Sequence, residues 1–169
     1  IRIKSCSGVY NYRNGVISVE PMVQRFTPKS NVIKYVEMHF DDCFSDKGYI
    51  QFTMEDSSGN IVYSEDVPMY ELDGSDNYYR FEINKTLVKG NTYYIKLFAQ
   101  DMPSWKAPKV WCSNNIKDEI GEVVFRGQPS DKHLQANMEI GYGTFHYYGF
   151  AVSLAAIILT AGIILLQLN

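Results

Sequence analysis

Residues 49–55 read YIQFTME, and this stretch decides the fold class of the chain. Apolar residues stand at every second position, the pattern of a strand with one buried and one exposed face: Ile50, Phe52 and Met54. The next five residues, DSSGN at 56–60, form turns readily, because Asp and Asn bond nearby backbone and Gly tolerates positive φ. A second apolar run follows at 61–66. The sequence therefore predicts a β-hairpin.

The same alternation of short apolar runs and turn residues recurs along the chain. Further strands are predicted at 15–19, 31–40, 79–83, 92–99, 110–112, 122–126 and 133–140, and Pro21 is expected to bend or end the ladder of the first. Roughly eight to ten short strands at this spacing predict an all-β fold, an antiparallel jelly-roll-like β-sandwich over residues 1–145. An immunoglobulin-type sandwich is the alternative, but the Cys…Trp…Cys spacing typical of that fold is absent.

The C-terminal segment 150–168 reads FAVSLAAIILTAGIILLQL, which is 19 residues without a charge. At about 1.5 Å per residue, a helix of this length crosses a hydrocarbon core of roughly 30 Å. A buried core helix is the other interpretation, but this segment is apolar on every side and a sandwich fills its core with sheet faces. We therefore predict one C-terminal transmembrane helix over residues 146–169, reached through an aromatic junction at 141–149 that suits the headgroup region.

This arrangement predicts a location in the cell membrane, with the β-domain on the extracytoplasmic side. The chain starts at Ile1 without an initiator Met, and we expect it to be a piece of a longer membrane protein with further spans.

Charge and cysteine content exclude several classes of function. The net charge is −3, from 16 Lys and Arg against 19 Asp and Glu, and no basic run occurs. A nucleic-acid partner is therefore not expected, because binding to phosphates needs a basic patch. The three cysteines fit no zinc pattern and are predicted to be ordinary thiols, with one disulfide as the alternative: Cys6, Cys43 and Cys112.

Candidate catalytic and metal-binding groups are few. The run HFDDC at 39–43 is dense in potential ligands, but it lies where a strand end and turn are predicted. The loop DGSDN at 73–77 offers oxygens for a structural calcium but lacks the glycine and terminal glutamate of an EF-hand, so a solvated loop and no cofactor are expected. No hydrolase, zinc-protease or P-loop motif is present. Missing motifs do not exclude an enzyme, because catalytic groups are set by geometry, and an enzyme that acts on glycan is the third hypothesis. Since nothing in the sequence is positive evidence for catalysis, we expect a non-catalytic protein.

Aromatic residues make up 14% of the chain and supply the candidate binding residues. Exposed rings can stack on sugar rings, while neighbouring polar side chains bond the hydroxyls. Trp105, in a loop bounded by prolines, and Tyr70 and Tyr78 are predicted to bind ligand. Most other rings are expected to pack the core, and Trp111 is predicted there.

A recurrent module extends over residues 15–145, carried by QRF at 24–26, VIKYVEMHF at 32–40, GYIQFTMED at 48–56, YRFEI at 79–83 and GNTYYIKL at 90–97. It resembles the extracytoplasmic jelly-roll domains inserted between the spans of Gram-positive polytopic membrane proteins. Those domains are similar to galactose-binding-like modules and often accompany polysaccharide or glycosyltransferase machinery. The usual asparagine–glycine turn late in the module is replaced here by Arg126-Gly127.

The resemblance and the residues together favour a non-catalytic extracytoplasmic β-sandwich of a membrane protein. Its expected partners are the lipid bilayer and a glycan or envelope polymer, and it would bind that polymer or position a membrane-embedded enzyme. The alternative is a protein–protein interaction ectodomain of a receptor or membrane assembly subunit, with partner membrane proteins. The first hypothesis predicts exposed rings among polar residues on a sheet face, and the alternative predicts a large apolar patch.

Overall fold

A computed structural model of the chain describes residues 4–6, 12–16, 21–40, 47–72, 78–102, 107–114, 119–125, 128–129 and 134–143, together with 152, 155–158 and 160. Fourteen strands and one short helix are found among the described residues up to position 143. They are β1 (Lys4–Cys6), β2 (Tyr12–Val16), β3 (Met22–Phe26), β4 (Val32–His39), β5 (Tyr49–Asp56), β6 (Ile61–Pro68), α1 (Met69–Leu72), β7 (Tyr78–Phe81), β8 (Lys85–Thr86), β9 (Tyr93–Gln100), β10 (Lys109–Ser113), β11 (Ile120–Phe125), β12 (Gln128–Pro129), β13 (Gln135–Ala136) and β14 (Met138–Tyr142).

The strands form three antiparallel sheets. The largest has six strands in the order β12-β11-β3-β9-β5-β6. The second has the order β1-β14-β4-β7, with β8 also paired to β4, and the third has the order β13-β10-β2. A single bridge between Phe40 and Val110 joins the end of β4 to β10, so the two smaller sheets meet there.

One hydrophobic core lies between the six-stranded sheet and the smaller sheets. Along β5 and β9, buried and half-buried residues alternate, as the period-two pattern predicts. Phe52 of β5 and Phe81 of β7 come from different sheets, and their ring centroids are 4.0 Å apart across the core. This architecture is consistent with the predicted antiparallel β-sandwich.

The predicted hairpin is confirmed. β5 and β6 pair from Tyr49 opposite Pro68 to Glu55 opposite Ile61. Asp56 closes the turn, because its Oδ1 accepts hydrogen bonds from the backbone N–H groups of Ser58 and Asn60 at 2.8 and 2.9 Å. The Asn60 side chain also donates from Nδ2 to Asp56 Oδ2 at 2.9 Å. This side-chain bond, followed by the backbone bond from Asn60, lowers the pKa of the Asp56 carboxyl.

Strand β3 was not predicted, because its buried face carries a polar residue. Met22, Gln24 and Phe26 point inward, so the apolar alternation is interrupted in the middle. The buried Gln24 amide ties two sheets together. Its Nε2 donates to the Gly121 carbonyl of β11 at 2.6 Å, and its Oε1 accepts from the Ala136 N–H of β13 at 2.9 Å. A buried amide is tolerated here because its polar atoms are bonded.

Other differences from the sequence-based expectation concern short elements. Strands β8, β12 and β13 have two residues each, too few to give a pattern. Together with the three-residue β1, which was also not predicted, they raise the strand count above the predicted eight to ten. The four-residue helix α1 was also not predicted. Strand β2 begins at Tyr12, earlier than the predicted 15–19.

The register of the sheets gives the sandwich two distinct ends. Strand β14 finishes and β4 starts at one end, where the Gly143 N–H donates to the Val32 carbonyl at 2.9 Å. We call this the linker end, because the chain leaves it toward the apolar C-terminal segment. At the far end β4 finishes and β5 and β7 begin, since antiparallel pairing places His39 opposite Tyr78 and Tyr49 opposite Gln100.

The predicted transmembrane segment lies mostly outside the described residues. Val152, residues 155–158 and Thr160 are helical and exposed. Thr160 Oγ1 donates to the Ala156 carbonyl at 2.8 Å, so its hydroxyl is satisfied within the helix. Among the described residues, no helix is both long enough and apolar enough to cross a membrane. The span and the junction at 144–149 stay predictions.

Candidate functional site

The outer face of the β14–β4–β7 sheet concentrates polar and aromatic side chains. The register places Glu139 opposite Glu37 and Glu37 opposite Arg80. It also places His39 opposite Tyr78 at the far end. Because cross-strand neighbours on one face lie within about 5.5 Å, these side chains form one surface, which we call the Tyr78 face.

Three rings stack along one edge of the Tyr78 face. The His39 ring lies between those of Tyr78 and Trp111, with centroid distances of 4.3 Å and 5.5 Å and interplanar angles of 8° and 14°. Trp111 belongs to β10. The bridge between Phe40 and Val110 places β10 beside the end of β4, which brings the Trp111 ring next to His39. Tyr78 stands at the outer end and is 44% exposed. The stack therefore fixes the orientation of a ring that still faces solvent.

A charged network holds the centre of the Tyr78 face. Arg80 donates from Nε and Nη2 to Glu37 Oε2 at 2.9 and 2.7 Å, and the Glu37 carboxylate raises the pKa of that guanidinium. The same guanidinium lies 4.1 Å from the centroid of the Tyr35 ring. Tyr35 in turn donates its hydroxyl to Glu139 Oε1 at 2.5 Å. Both carboxylates are thus held in place by neighbouring donors.

Tyr35 depends on a glycine directly across the strands. Gly141 is its register partner on β14. A Cβ built on Gly141 would overlap the Tyr35 ring, which occupies that space. Glycine at this position therefore lets the ring lie flat on the sheet, where it supports Arg80 from below.

A small pocket of about 180 Å³ opens on the Tyr78 face, lined by Glu37, Tyr78, Asn137, Met138 and Glu139. Its wall combines an exposed ring with carboxylate and amide groups. Among the described residues nothing donates a hydrogen bond to Glu37 Oε1, so that oxygen is available to a ligand hydroxyl. This chemistry suits a small polyhydroxylated ligand.

A larger groove of about 370 Å³ lies on the outer face of the six-stranded sheet. We call it the Lys96 groove. Lys96 forms an ion pair with Glu55 at 2.6 Å, beside Phe98 and Gln51. Gln51 accepts a hydrogen bond from Gln100 Nε2 at 3.3 Å. Among the described residues, Phe98 is the one aromatic residue that lines this groove, and it is half-buried.

The predicted binding residues fall in different places. Tyr78 lines the pocket on the face named after it. Tyr70 lies in α1, is 68% exposed, and lines neither the pocket nor the groove. Trp105 lies outside the described residues, as do Cys43 and the loop 73–77, which was considered for calcium but predicted to be solvated. The structure therefore does not bring Tyr70 into the pocket with Tyr78.

Two other residues considered at the sequence level have clear environments. Trp111, expected in the core, is half-buried and belongs to the ring stack. Cys112 is a free thiol with a buried side chain, and burial raises its pKa to about 12. A thiol with so high a pKa stays protonated at neutral pH and reacts slowly.

Sequence reasoning missed the polar residues of the Tyr78 face. Glu37 and Arg80 stand at outward positions of their strands, which period-two alternation identifies, but the register that pairs them cannot be read from local sequence. Asn137, which is buried, precedes β14 and shows no pattern that distinguishes it.

In the part of the chain that the structure describes, no group of three or more His, Cys, Asp or Glu side chains is placed to hold a metal ion. Comparison with known protein families, curated proteins and solved structures finds no match.

Proposed function

We propose that this chain is a non-catalytic extracytoplasmic β-sandwich of a membrane protein that binds a glycan or envelope polymer in the Tyr78 pocket. The observation that carries the proposal is one exposed ring fixed beside two carboxylates and a buried amide. The flat face of a sugar ring is apolar and stacks on an aromatic ring, while its hydroxyls bond to planar polar groups. The Tyr78 pocket offers both kinds of contact in one small volume.

Preorganisation favours this pocket as a binding site. Stacking on His39 fixes the Tyr78 ring, and Arg80 and Tyr35 fix the two carboxylates. Side chains that are already ordered lose little entropy when a ligand binds. Because Glu37 and Glu139 are both engaged by structural donors, we propose that they bind ligand hydroxyls rather than act as a catalytic acid and base.

The jelly-roll-like form and the membrane anchor belong to the same proposal. The chain passes between the large and small sheets after β2, β3, β4, β6, β8, β9, β10 and β12, and such repeated crossing is typical of jelly rolls. The four consecutive residues 155–158 point in four directions around a helix at about 100° spacing, and all are exposed. Exposed apolar side chains on every side of a helical turn are what a lipid-embedded segment requires.

A protein–protein interaction ectodomain is the second candidate. Strand β6 is eight residues long and pairs on one side only among the described strands, so it could accept a partner strand. The large exposed apolar residues of the described sandwich, however, are split between its ends: Ile61 and Val88 near the linker end, and Tyr70 and Tyr78 near the far end. That separation favours the glycan over a broad apolar interface.

The test is binding of the full chain, in detergent or nanodiscs, to an array of envelope glycans. Tyr78→Ala should abolish binding, since it removes the stacking ring. Tyr70→Ala is the matched control, because Tyr70 is also exposed but lines neither the Tyr78 pocket nor the Lys96 groove, and it should bind as wild type does. Binding that survives Tyr78→Ala but disappears in Phe98→Ala would move the site to the Lys96 groove. If the chain binds no glycan on the array, glycan binding in the Tyr78 pocket is contradicted. That result would favour a domain that positions a membrane-embedded enzyme, or a protein–protein interaction ectodomain.

A further inference from the structure

The linker end of the sandwich carries a concentration of positive charge that the whole chain lacks. Two connections meet there: the β3–β4 loop with the first residues of β4, at 27–34, and the β7–β9 connection, which contains β8, at 83–91. Their 17 residues contain four lysines and neither Asp nor Glu, whereas the chain as a whole has a net charge of −3. The lysines are Lys29, Lys34, Lys85 and Lys89, and all four are exposed.

Three of these lysines are free of carboxylate partners among the described residues. Lys29 pairs with the buried Glu119 at 2.5 Å. Lys34, Lys85 and Lys89 lie within ion-pair distance of no described carboxylate. Asp56 lies at the same end, on the β5–β6 turn, and its oxygens accept bonds from Ser58 and Asn60. Among the described residues, the two loops therefore present lysines and no carboxylate of their own.

Hydrogen bonds hold the two loops together, and one of them is accepted by the Asn31 side chain. Leu87 is buried, and its N–H donates to the Asn31 carbonyl at 2.7 Å. The Lys89 N–H donates to Asn31 Oδ1 at 2.9 Å, and the Gly90 N–H to the Pro28 carbonyl at 3.2 Å. Between them Val88 points outward and is 58% exposed. The loop thus presents one apolar side chain flanked by lysines on a fixed backbone.

The same end gives rise to the linker. Ser30 Oγ donates to the Gly143 carbonyl at 3.2 Å, so the last described residue of the sandwich is fixed to the lysine-bearing loop. Six residues, 144–149, lie between Gly143 and Phe150, the start of the apolar segment, so seven Cα–Cα steps join the two. At about 3.3–3.6 Å per residue, this linker reaches at most about 25 Å.

We propose that the linker end is a docking surface for anionic lipid headgroups, with Lys34, Lys85 and Lys89 contacting phosphates and Val88 inserting between them. The inference rests on the membrane anchor of the proposed function, because the tether keeps this end near the bilayer and raises its effective concentration there. Screening limits attraction to about 8 Å at physiological salt, so docking holds the sandwich against the surface in one orientation. The Tyr78 pocket, at the far end, then faces away from the membrane.

The experiment places the full chain in nanodiscs and introduces a tryptophan at the docking loop with Val88→Trp. Brominated lipids quench tryptophan that contacts the bilayer, and the unsubstituted chain supplies the background from Trp105 and Trp111. Quenching is expected in nanodiscs that contain phosphatidylglycerol, and much less in pure phosphatidylcholine or in high salt.

Two matched pairs of substitutions decide the assignment. Lys85→Gln with Lys89→Gln should weaken docking by roughly 25-fold, about fivefold for each lysine. Lys47→Gln with Lys109→Gln changes charge equally at the far end, and should leave quenching unchanged. Equal quenching in neutral and anionic nanodiscs, or equal effects of the two pairs, would overturn the docking surface.

The outcomes separate this inference from the function on which it rests. A chain that enters nanodiscs but shows no quenching at position 88 contradicts the docking surface alone. A chain that does not enter nanodiscs contradicts the anchor, and the docking surface with it. Glycan binding at the Tyr78 pocket is measured independently of both.

Discussion

The Tyr78 face and the Lys96 groove lie on opposite outer surfaces of one sandwich, and they differ in how their polar groups are held. On the Tyr78 face, rings and charges from β4, β7, β10 and β14 support one another across strands. In the Lys96 groove, a single ion pair and an amide contact lie on a larger and less organised surface. The comparison teaches that volume alone does not identify a binding site: the smaller pocket is the one whose ligand-facing groups are fixed.

The largest effect should come from a change that weakens both faces at once. Gln24→Ala removes the amide that joins the sheets and leaves the Gly121 carbonyl and the Ala136 N–H without that partner. We expect a loss of about 2–4 kcal/mol in the free energy of unfolding, from the orphaned groups and the cavity. Urea unfolding in detergent measures it. Gln51→Ala, on the outer face, is the control and should cost less than about 0.5 kcal/mol. Equal losses of stability in the two variants would mean that the Gln24 amide does not hold the sheets together.

A smaller effect should separate the two faces. Gly141→Ala places a methyl group where the packed Tyr35 ring lies, which should cost about 1–3 kcal/mol and disturb Arg80 as well. Gly121→Ala, on the six-stranded sheet, meets only the end of the exposed and flexible Arg25 side chain and should be tolerated. Thermal unfolding and glycan binding are measured for both variants and compared with the wild type. If Gly121→Ala is the more harmful of the two, Tyr35 is not the rigid support described here.

Binding and stability should separate at Arg80. Arg80→Lys keeps the charge but cannot donate from two nitrogens to Glu37 while lying flat on Tyr35. The pair is partly exposed, so stability should change by less than about 1 kcal/mol. Glycan affinity should fall by roughly tenfold, the loss of about one hydrogen bond to a charged group. Lys96→Gln breaks the ion pair of the groove and should leave glycan affinity unchanged, as calorimetric titration would measure.

The smallest effect depends on pH and concerns the contact between β7 and β6, which belong to different sheets. Tyr79 of β7 lies 3.5 Å from Glu65 of β6, and burial, followed by the Glu65 charge, raises its pKa from 10.0 to about 12. Since the raised pKa favours the protonated phenol in the folded state, this stabilisation is complete below pH 10 and is lost as the pH rises toward 12.

The midpoint of thermal unfolding should therefore fall more steeply between pH 10 and pH 12 in the wild type than in Tyr79→Phe. Tyr70→Phe serves as the control, because Tyr70 is exposed and should leave the slope unchanged. Parallel slopes for the wild type and Tyr79→Phe would show that the phenol does not couple the sheets.

Much of the fold could be predicted because its signals are local. The alternation at 49–55 and the turn at 56–60 were enough for the β5–β6 hairpin, and the same pattern located β4 and β9. Strand β3 escaped prediction because Gln24 interrupts its apolar face. That residue is buried only because Gly121 and Ala136, about 100 positions away, supply its hydrogen bonds, and no local pattern contains this information.

The candidate site divides in the same way. Tyr78 was predicted from its type and its neighbourhood, and the structure places it at the outer end of the ring stack. Glu37, Arg80 and Glu139 were not predicted, because cross-strand register decides which outward residues become neighbours.

By itself the sequence determined the strand periodicity, the turns and the apolar segment at 150–168, since each depends on residues a few positions apart. Only the tertiary structure decided which strands pair, that Gln24 lies inside, and that lysines from two separate loops gather where the linker leaves the sandwich. These features depend on contacts between distant parts of the chain. Such contacts form when the sheets pack over a common core. The pairing register of the strands then depends on the whole domain and not on any one segment.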